Sequence, residues 1–251
     1  MPMTDETGKW TEETVGSHPC DIYLPPKHHE MKYVVIYLHG VHLDRLVDKQ
    51  AFCEQFDRHG LAVVAPMTQR SWWADLICPE FDSQITAEQH VLQAVVPFIK
   101  ARFDAIPPRI ALLGTSMGGQ GALRLAYKHP NTFPVVAAIS PTIDYQSCYA
   151  EDELLQEMYP EAEAVRQDTA TLHIHPLNWP PHQFFSCCPT DSRWWESSDR
   201  LRMKLSSLGV PHTADLETTG GGHGFQYYNL MAETAVGFLA ERLEQERRRL
   251  V

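Results

Sequence analysis

Arg109-Ile110-Ala111-Leu112-Leu113-Gly114-Thr115-Ser116-Met117-Gly118-Gly119 decides how this chain folds. An apolar run of strand character enters the pentad Gly114-Thr115-Ser116-Met117-Gly118, and a helix-forming stretch, Gln120 to His129, leaves it. A G-x-S-x-G pentad in that setting makes a strand-to-helix turn so tight that side chains at the glycine positions would strike the neighbouring strand and helix. The turn presents the Ser116 hydroxyl over the sheet, above the positive end of the following helix, as a candidate nucleophile.

Working outward, strand and helix signals alternate. Cys20 to Leu24 reads as an antiparallel edge strand closed by Pro25-Pro26, and Tyr33 to Leu38 as a strand buried on both faces. A short helix face, Ala51, Phe52 and Phe56, precedes the buried strand Leu61 to Ala65. Thr86 and Gln89 form a capping box for a helix carrying Val91, Val95, Phe98 and Ile99, which Pro97 is expected to kink. Beyond the serine come a strand Val135 to Ser140, an irregular stretch Tyr145 to Pro181, a strand Gln183 to Cys188, a helix Arg193 to Leu208, a strand His212 to Glu217, and a final helix from about His223 or a few residues later to Arg247. Strands that alternate with crossover helices imply an α/β fold with a mostly parallel sheet covered on both faces, and functional residues in loops at the strands' carboxyl ends.

A serine hydroxyl is a poor nucleophile at neutral pH, so it needs a base, and the base needs an anionic partner. His223, in Thr219-Gly220-Gly221-Gly222-His223-Gly224-Phe225 after the last strand, is the expected base; its structural alternative is a histidine that caps the final helix. Asp191, after the strand ending at Cys188, is the expected acid, with Asp144 and Asp199 as rivals and the N-cap of the next helix as its structural alternative. The chain order Ser, Asp, His fits this type of sheet. The backbone N–H of Met117 and that of Val41, with Gly40 the second choice, are the expected oxyanion donors, while His39 and His42 are read as residues that orient this loop.

Trp72 and Trp73, and Trp194 and Trp195, start from the same rim and are candidate walls of a substrate pocket; packing against the sheet is the alternative for each pair. Glu151 to Arg166 reads as one short amphipathic, acidic helix, a small lid within 145–181 whose charge would disfavour a strongly anionic substrate if it overhangs the pocket. His173, His175 and His182 fall close together, but no cysteine or carboxylate stands at ligand spacing, so no metal is expected.

With 251 residues and no proline- or serine-rich linker, one domain is expected over 1–251. A net charge of -11 and the lack of a basic cluster argue against nucleic acid or an anionic membrane as partner. The one basic run, Arg247-Arg248-Arg249, complements the C-terminal end of a helix. No apolar run approaches the roughly 18 residues a membrane span needs. The polar, acidic stretch Met1 to Glu6 lacks the pattern of a secretory signal, and six cysteines without a C-x-x-C pair read as reduced core thiols, so a cytoplasmic location is expected.

The His39-Gly40 loop, the Gly114 to Gly119 elbow, Asp191 and Gly222-His223-Gly224-Phe225 together resemble an α/β-hydrolase. The phrase Ser116-Met117-Gly118-Gly119-Gln120-Gly121-Ala122-Leu123 is similar to the esterase branch that includes esterase D, S-formylglutathione hydrolases and feruloyl esterases. The resemblance runs from about Val34 to Phe238. It implies hydrolysis of a small-molecule carboxylic ester, short-chain or small aromatic in its acyl group, through an acyl-serine and without a cofactor. Thioester or peptide cleavage by the same triad, or a ligand-binding protein that keeps the triad unused, stay open on the sequence, as does the oligomeric state.

Overall fold

The structure is a computed structural model that describes residues 7–249; the polar stretch Met1 to Glu6 lies outside the described residues. Its centre is an eight-stranded sheet. In chain order the strands are β1 (Lys9–Val15), β2 (His18–Leu24), β3 (Val34–Leu38), β4 (Ala62–Pro66), β5 (Ile110–Thr115), β6 (Val135–Ile139), β7 (His182–Ser186) and β8 (Thr213–Asp215). In space they run β1-β2-β4-β3-β5-β6-β7-β8. From β4 to β8 every pairing is parallel, while β1 and β2 form an antiparallel hairpin joined to β4.

The five residues of β3 and those of β4 are all buried, as expected of parallel strands covered on both sides. Alternate residues divide between two cores. Val34, Ile36 and Leu38 join Leu112, Val91, Ile99 and Leu123 on one face, and Val35 and Tyr37 join Leu113, Phe52, Phe56, Met231 and Leu239 on the other. The helices α1 (Gln50–His59) and α8 (Phe225–Arg249) cover the second face. The first is covered by α2 (Ala87–His90), α3 (Val96–Phe103), α4 (Met117–Lys128) and α7 (Ser192–Ser207).

Several local expectations are met in detail. The Thr86 hydroxyl accepts from Gln89 N at 3.0 Å and Gln89 Oε1 accepts from Thr86 N at 3.3 Å, closing the capping box. Pro97 has no N–H to donate one turn back, and the helix carries a wide π turn, Val91–Val95, just before it. Arg247, Arg248 and Arg249 occupy the last turn of α8 and pair with Glu244 and Glu246.

Four expectations need correction. The strand at Cys20 to Leu24 is not the edge, because β1 pairs outside it through the turn at Gly16-Ser17. Glu151 to Arg166 is not one helix: Pro160 separates α5 (Glu153–Met158) from α6 (Ala162–Gln167). The helix after the serine begins at Met117, three residues before Gln120, so Gly118 and Gly119 are helical. The six thiols are all free, but Cys53 and Cys148 are only half-buried rather than core. Among the described residues no helix is long and apolar enough to cross a membrane.

Candidate active site

β5 delivers the chain to Ser116 in the middle of the sheet, and α4 leaves immediately after it. Ser116 has φ 55° and ψ -121°, a backbone state that a non-glycine residue holds only where its surroundings enforce it. The glycines allow that turn by close approach: a Cβ on Gly114 would lie 2.0 Å from Gly118 O, and one on Gly118 would lie 1.9 Å from Leu38 O. Ser116 is 5% exposed, so its hydroxyl reaches solvent only through the cavity it lines.

The other two members arrive from the same rim. β8 ends at Asp215, and a loop with positive φ at Gly221, Gly222 and Gly224 brings His223 back over the elbow before α8 begins. Ser116 Oγ donates to His223 Nε2 at 2.8 Å, and His223 Nδ1 donates to Asp191 Oδ2 at 2.6 Å. The carboxylate fixes the ring proton on Nδ1 and leaves Nε2 free to accept. Asp191 occupies the N-cap position of α7, yet its side chain makes no capping bond. The structural alternative for His223 is likewise not its arrangement, since its ring spans Ser116 and Asp191. The rivals for the acid are engaged elsewhere: Asp144 with Arg200 at 2.5 Å and Asp199 with Arg202 at 2.6 Å.

Met117 is the first residue of α4, so its N–H has no acceptor within the helix. The loop after β3 passes so close that a Cβ on Gly40 would lie 3.2 Å from Ser116 Cβ. Val41 N–H has no hydrogen-bond acceptor among the described residues. His39 orients this loop from a sealed position. Its Nδ1 donates to Gly40 O at 2.9 Å, its Nε2 accepts from Thr68 N at 3.1 Å, and burial pushes its pKa down to about 4, so the ring is neutral. His42 does not share that role; it is exposed and lines the cavity.

The space over Ser116 and His223 has two lobes. The larger, about 410 Å³, is lined by Val41, Trp72, Thr142, Cys148, Asp152 and Trp194, with Arg70 at its side. The smaller, about 90 Å³, lies against Gly40, Phe225 and Tyr228. Each tryptophan pair divides. Trp72 and Trp194 line the large lobe, whereas Trp73 is fully buried with its indole N–H on His39 O at 3.1 Å, and Trp195 turns its own onto Leu216 O at 2.8 Å. Trp73 and Trp195 are therefore not walls of the space over Ser116: Trp73 is sealed in the core, and the half-buried Trp195 borders a separate cavity with Asp199 and Leu216, each indole N–H finding a carbonyl acceptor.

Of the acidic segment, Asp152 reaches the cavity, 3.7 Å from Arg70, which Glu80 also holds in a two-point pair. Arg70, Thr142 and Tyr228 escaped the sequence reading. Thr142 lies just beyond the carboxyl end of β6, where the rim rule looks, but Arg70 and Tyr228 reach the site only by the path of their loop and helix. The three clustered histidines disperse: His173 bonds Asp168, His182 bonds Glu246, and the ring of His175 accepts Leu177 N–H.

Comparison with known proteins bears on the family and the fold. The profile of the family described as Putative esterase matches residues 12–214. The S-formylglutathione hydrolase of Bos taurus is 27% identical over 148 residues, 51% of this chain and 52% of that protein; the chain spans about half the length of the curated relatives it matches. Among solved structures, an S-formylglutathione hydrolase from Agrobacterium tumefaciens superposes with a TM-score of 0.79 at 20% identity, covering 96% of this chain and 98% of the other. A fluorophosphonate-binding serine hydrolase of Staphylococcus aureus gives 0.76 at 16% identity, covering 94% and 99%. The profile match extends over most of the sequence and the superpositions over nearly all of the α/β-hydrolase fold, so the chain belongs to the Putative esterase family.

Proposed function

We propose that the chain is a serine hydrolase of carboxylic esters that works through an acyl group on Ser116. The observation that carries this is the unbroken hydrogen-bond chain Ser116 Oγ, His223 Nε2, His223 Nδ1, Asp191 Oδ2, with bonds of 2.8 and 2.6 Å. As Ser116 Oγ bonds to the ester carbonyl carbon, its proton passes to His223 Nε2, and Asp191 stabilises the imidazolium. The oxygen that takes the negative charge lies between the N–H groups of Met117 and Val41. On collapse the C–O bond to the alcohol breaks and the alcohol leaves with the proton from Nε2. Water then gives a proton to Nε2 as it attacks the acyl carbon; on collapse the bond from that carbon to Ser116 Oγ breaks, Nε2 returns the proton to Oγ, and the carboxylic acid leaves. No step needs a cofactor.

The lining of the large lobe by Val41, Trp72 and Trp194 supports short-chain or small aromatic esters. Thioesters are a second reading, favoured by the relatives' name, S-formylglutathione hydrolase. Ser116, Asp191 and His223 stand in the connections that follow three strands of one sheet, which supports a single catalytic domain over 1–251. Six free thiols support a reducing, cytoplasmic setting, and the net charge of -11 argues against a nucleic-acid partner.

The test is hydrolysis of a short-chain nitrophenyl ester with fluorophosphonate labelling. Wild type should turn over and label stoichiometrically, and Ser116→Ala should lose both by about 10⁵-fold or more in rate. Turnover retained in Ser116→Ala would defeat the reading. Rates on matched esters, thioesters and amides rank the bond types.

A further inference from the structure

Behind the large lobe lies a circuit of buried and half-buried groups that leads from the nucleophile's own helix to the cavity wall. It begins at an unfavourable corner. Trp72 and Trp73 both have φ of 53°, so two consecutive bulky residues hold the left-handed conformation, which persists only where the surroundings over-determine it. Trp73 is held by several bonds: its indole N–H on His39 O, its backbone N–H on Ser71 Oγ at 3.3 Å, and its carbonyl under Arg124 Nη1 at 3.4 Å. Trp72 has no such anchor. Its Nε1 is buried without an acceptor, so its ring is placed by the backbone and by one stacking partner, Tyr145, at 4.6 Å between ring centres and 14° between planes.

The stacking partner is tied back to Arg124. Tyr145 OH and Tyr159 OH are 3.0 Å apart, and Tyr159 OH donates to Asp168 Oδ2 at 2.7 Å. Asp168 Oδ1 accepts from Arg124 Nε at 2.8 Å and Nη2 at 2.6 Å. Arg124 lies on α4, 1% exposed, and its remaining charge is met by Glu88 on α2. The ring is then complete: Arg124, Trp73, Trp72, Tyr145, Tyr159, Asp168 and back to Arg124. The guanidinium is buried and Asp168 half-buried, with two of the Arg124 N–H groups on one carboxylate oxygen and Tyr159 and His173 holding the carboxylate as well; such a pair is a rigid element, because loosening one member leaves a buried charge uncompensated. Ala170 N, donating to Gln120 Oε1 at 2.8 Å, pins the same excursion to α4 a second time.

We propose that Asp168 and Tyr145 are positioning residues for substrate selectivity. With Arg124 they fix Trp72 as a rigid aromatic wall, so the 145–181 excursion is latched in place rather than a mobile lid, and the site favours esters carrying a flat aryl group on the side that meets that wall. This rests on the ester-hydrolase reading of Ser116.

The experiment compares wild type with Asp168→Asn, Tyr145→Leu and Tyr145→Phe on ethyl acetate, benzyl acetate and ethyl phenylacetate, which place an aryl group on neither, the alcohol or the acyl side. Active-site titration with a fluorophosphonate normalises each preparation. Wild type should prefer one aryl ester over ethyl acetate. Asp168→Asn and Tyr145→Leu should lower that ratio of kcat/KM about tenfold, chiefly through KM, and Tyr145→Phe, which keeps the stack on Trp72 but cuts the tie to Tyr159, by a smaller step of about threefold to fivefold. A merely structural role would scale all three esters alike and leave the ratio at its wild-type value, which would overturn the proposal. Tyr145→Leu leaves the ion pair intact, so the test survives if Asp168→Asn fails to fold. Amide exchange gives a readout that needs no turnover: Asp168→Asn or Tyr145→Leu should speed exchange over 71–75 and 145–159 about tenfold while that of β5 stays unchanged. Unaltered exchange there overturns the latch even if the protein hydrolyses esters, whereas an unreactive Ser116 in wild type would end the hydrolase reading and leave the exchange result to judge the circuit.

Discussion

Ser116 lies between two sides built from the same residue types and put to opposite uses. On one side His39 sits 5.1 Å from Trp73, ring centre to ring centre; on the other His223 sits 6.3 Å from Trp194. The first pair is sealed. Both rings are fully buried, every hydrogen bond of His39 goes to backbone, and burial drives its pKa down to about 4. The second pair borders the cavity, and the His223 side chain is 28% exposed and bonded to a hydroxyl and a carboxylate. A histidine held by amides in a dry interior has one stable protonation state and serves as a strut. One held between a hydroxyl and a carboxylate beside water can cycle its proton.

The largest test of this contrast is paired substitution of the two histidines. His223→Gln should lower kcat for a nitrophenyl ester by about 10⁵-fold, while His39→Gln, which keeps hydrogen-bonding capacity, should cost about tenfold or less through the loop carrying Val41. Steady-state kinetics with equal losses from both would erase the distinction. Next in size is the pair of carboxylates. Asp191→Asn leaves the geometry but stabilises the wrong tautomer, with an expected loss of about 10⁴-fold in kcat. Asp144→Asn removes only the pairing with Arg200 and should stay within about threefold. The reverse ranking would move the acid to the β6 edge.

The tryptophans sharpen the same contrast on the stability scale. Trp73→Ala should destabilise folding by about 3–5 kcal/mol, because it empties a fully buried site and strands the carbonyl of His39. Trp194→Ala should cost about 1 kcal/mol or less and show itself in KM. Urea titration of both variants measures the difference, and similar losses would mean that Trp194 is as much a core residue as Trp73.

These splits also mark where the sequence stopped being legible. The buried strands could be read because β3, β4 and β5 are covered on both faces and so appear as unbroken apolar runs. The convergence of Ser116, His223 and Asp191 could be read because parallel-sheet topology assigns such residues to a single rim. β1, in contrast, is a polar outer strand whose sequence, KWTEETV, alternates around charged residues and gains its identity only by pairing with β2. The acidic excursion looked like one helix because its periodicity runs on through Pro160, where the backbone does not. Which member of each tryptophan pair faces the cavity was beyond any pattern. At Trp72-Trp73 the answer depends on two left-handed residues held by distant partners. At Trp194-Trp195 it depends on the rotation of about 100° per residue in a helix whose phase against the sheet is set by packing.

The smallest effect, and the most direct reading of the sealed side, is the dependence of stability on pH. In the fold His39 has a pKa of about 4, and in the unfolded chain its ordinary value is 6.5. Between those values the unfolded chain holds a proton that the native protein refuses. This contribution is therefore complete above about pH 6.5 and is lost as pH falls toward 4, with a slope of up to about 1.4 kcal/mol per pH unit for one site. His90, buried between His18 and Phe81 with neither ring nitrogen bonded, is pushed down to about 4 by burial and adds a second proton in the same window. Glu88 also weakens the fold at low pH, but lower on the scale. Although burial works against it, the hydrogen bond from His129 and the charge of Arg124 hold its pKa at about 2, so its share is lost only as pH falls below about 4.5. Denaturant titrations at intervals from pH 7 to pH 5 separate these terms. His39→Gln and His90→Phe should each flatten the decline by about one proton's worth, whatever each substitution does to the absolute stability. A slope unchanged by His39→Gln would mean that this ring can take up a proton in the native state, and the strut beside Trp73 would then be no different in kind from the ring beside Trp194.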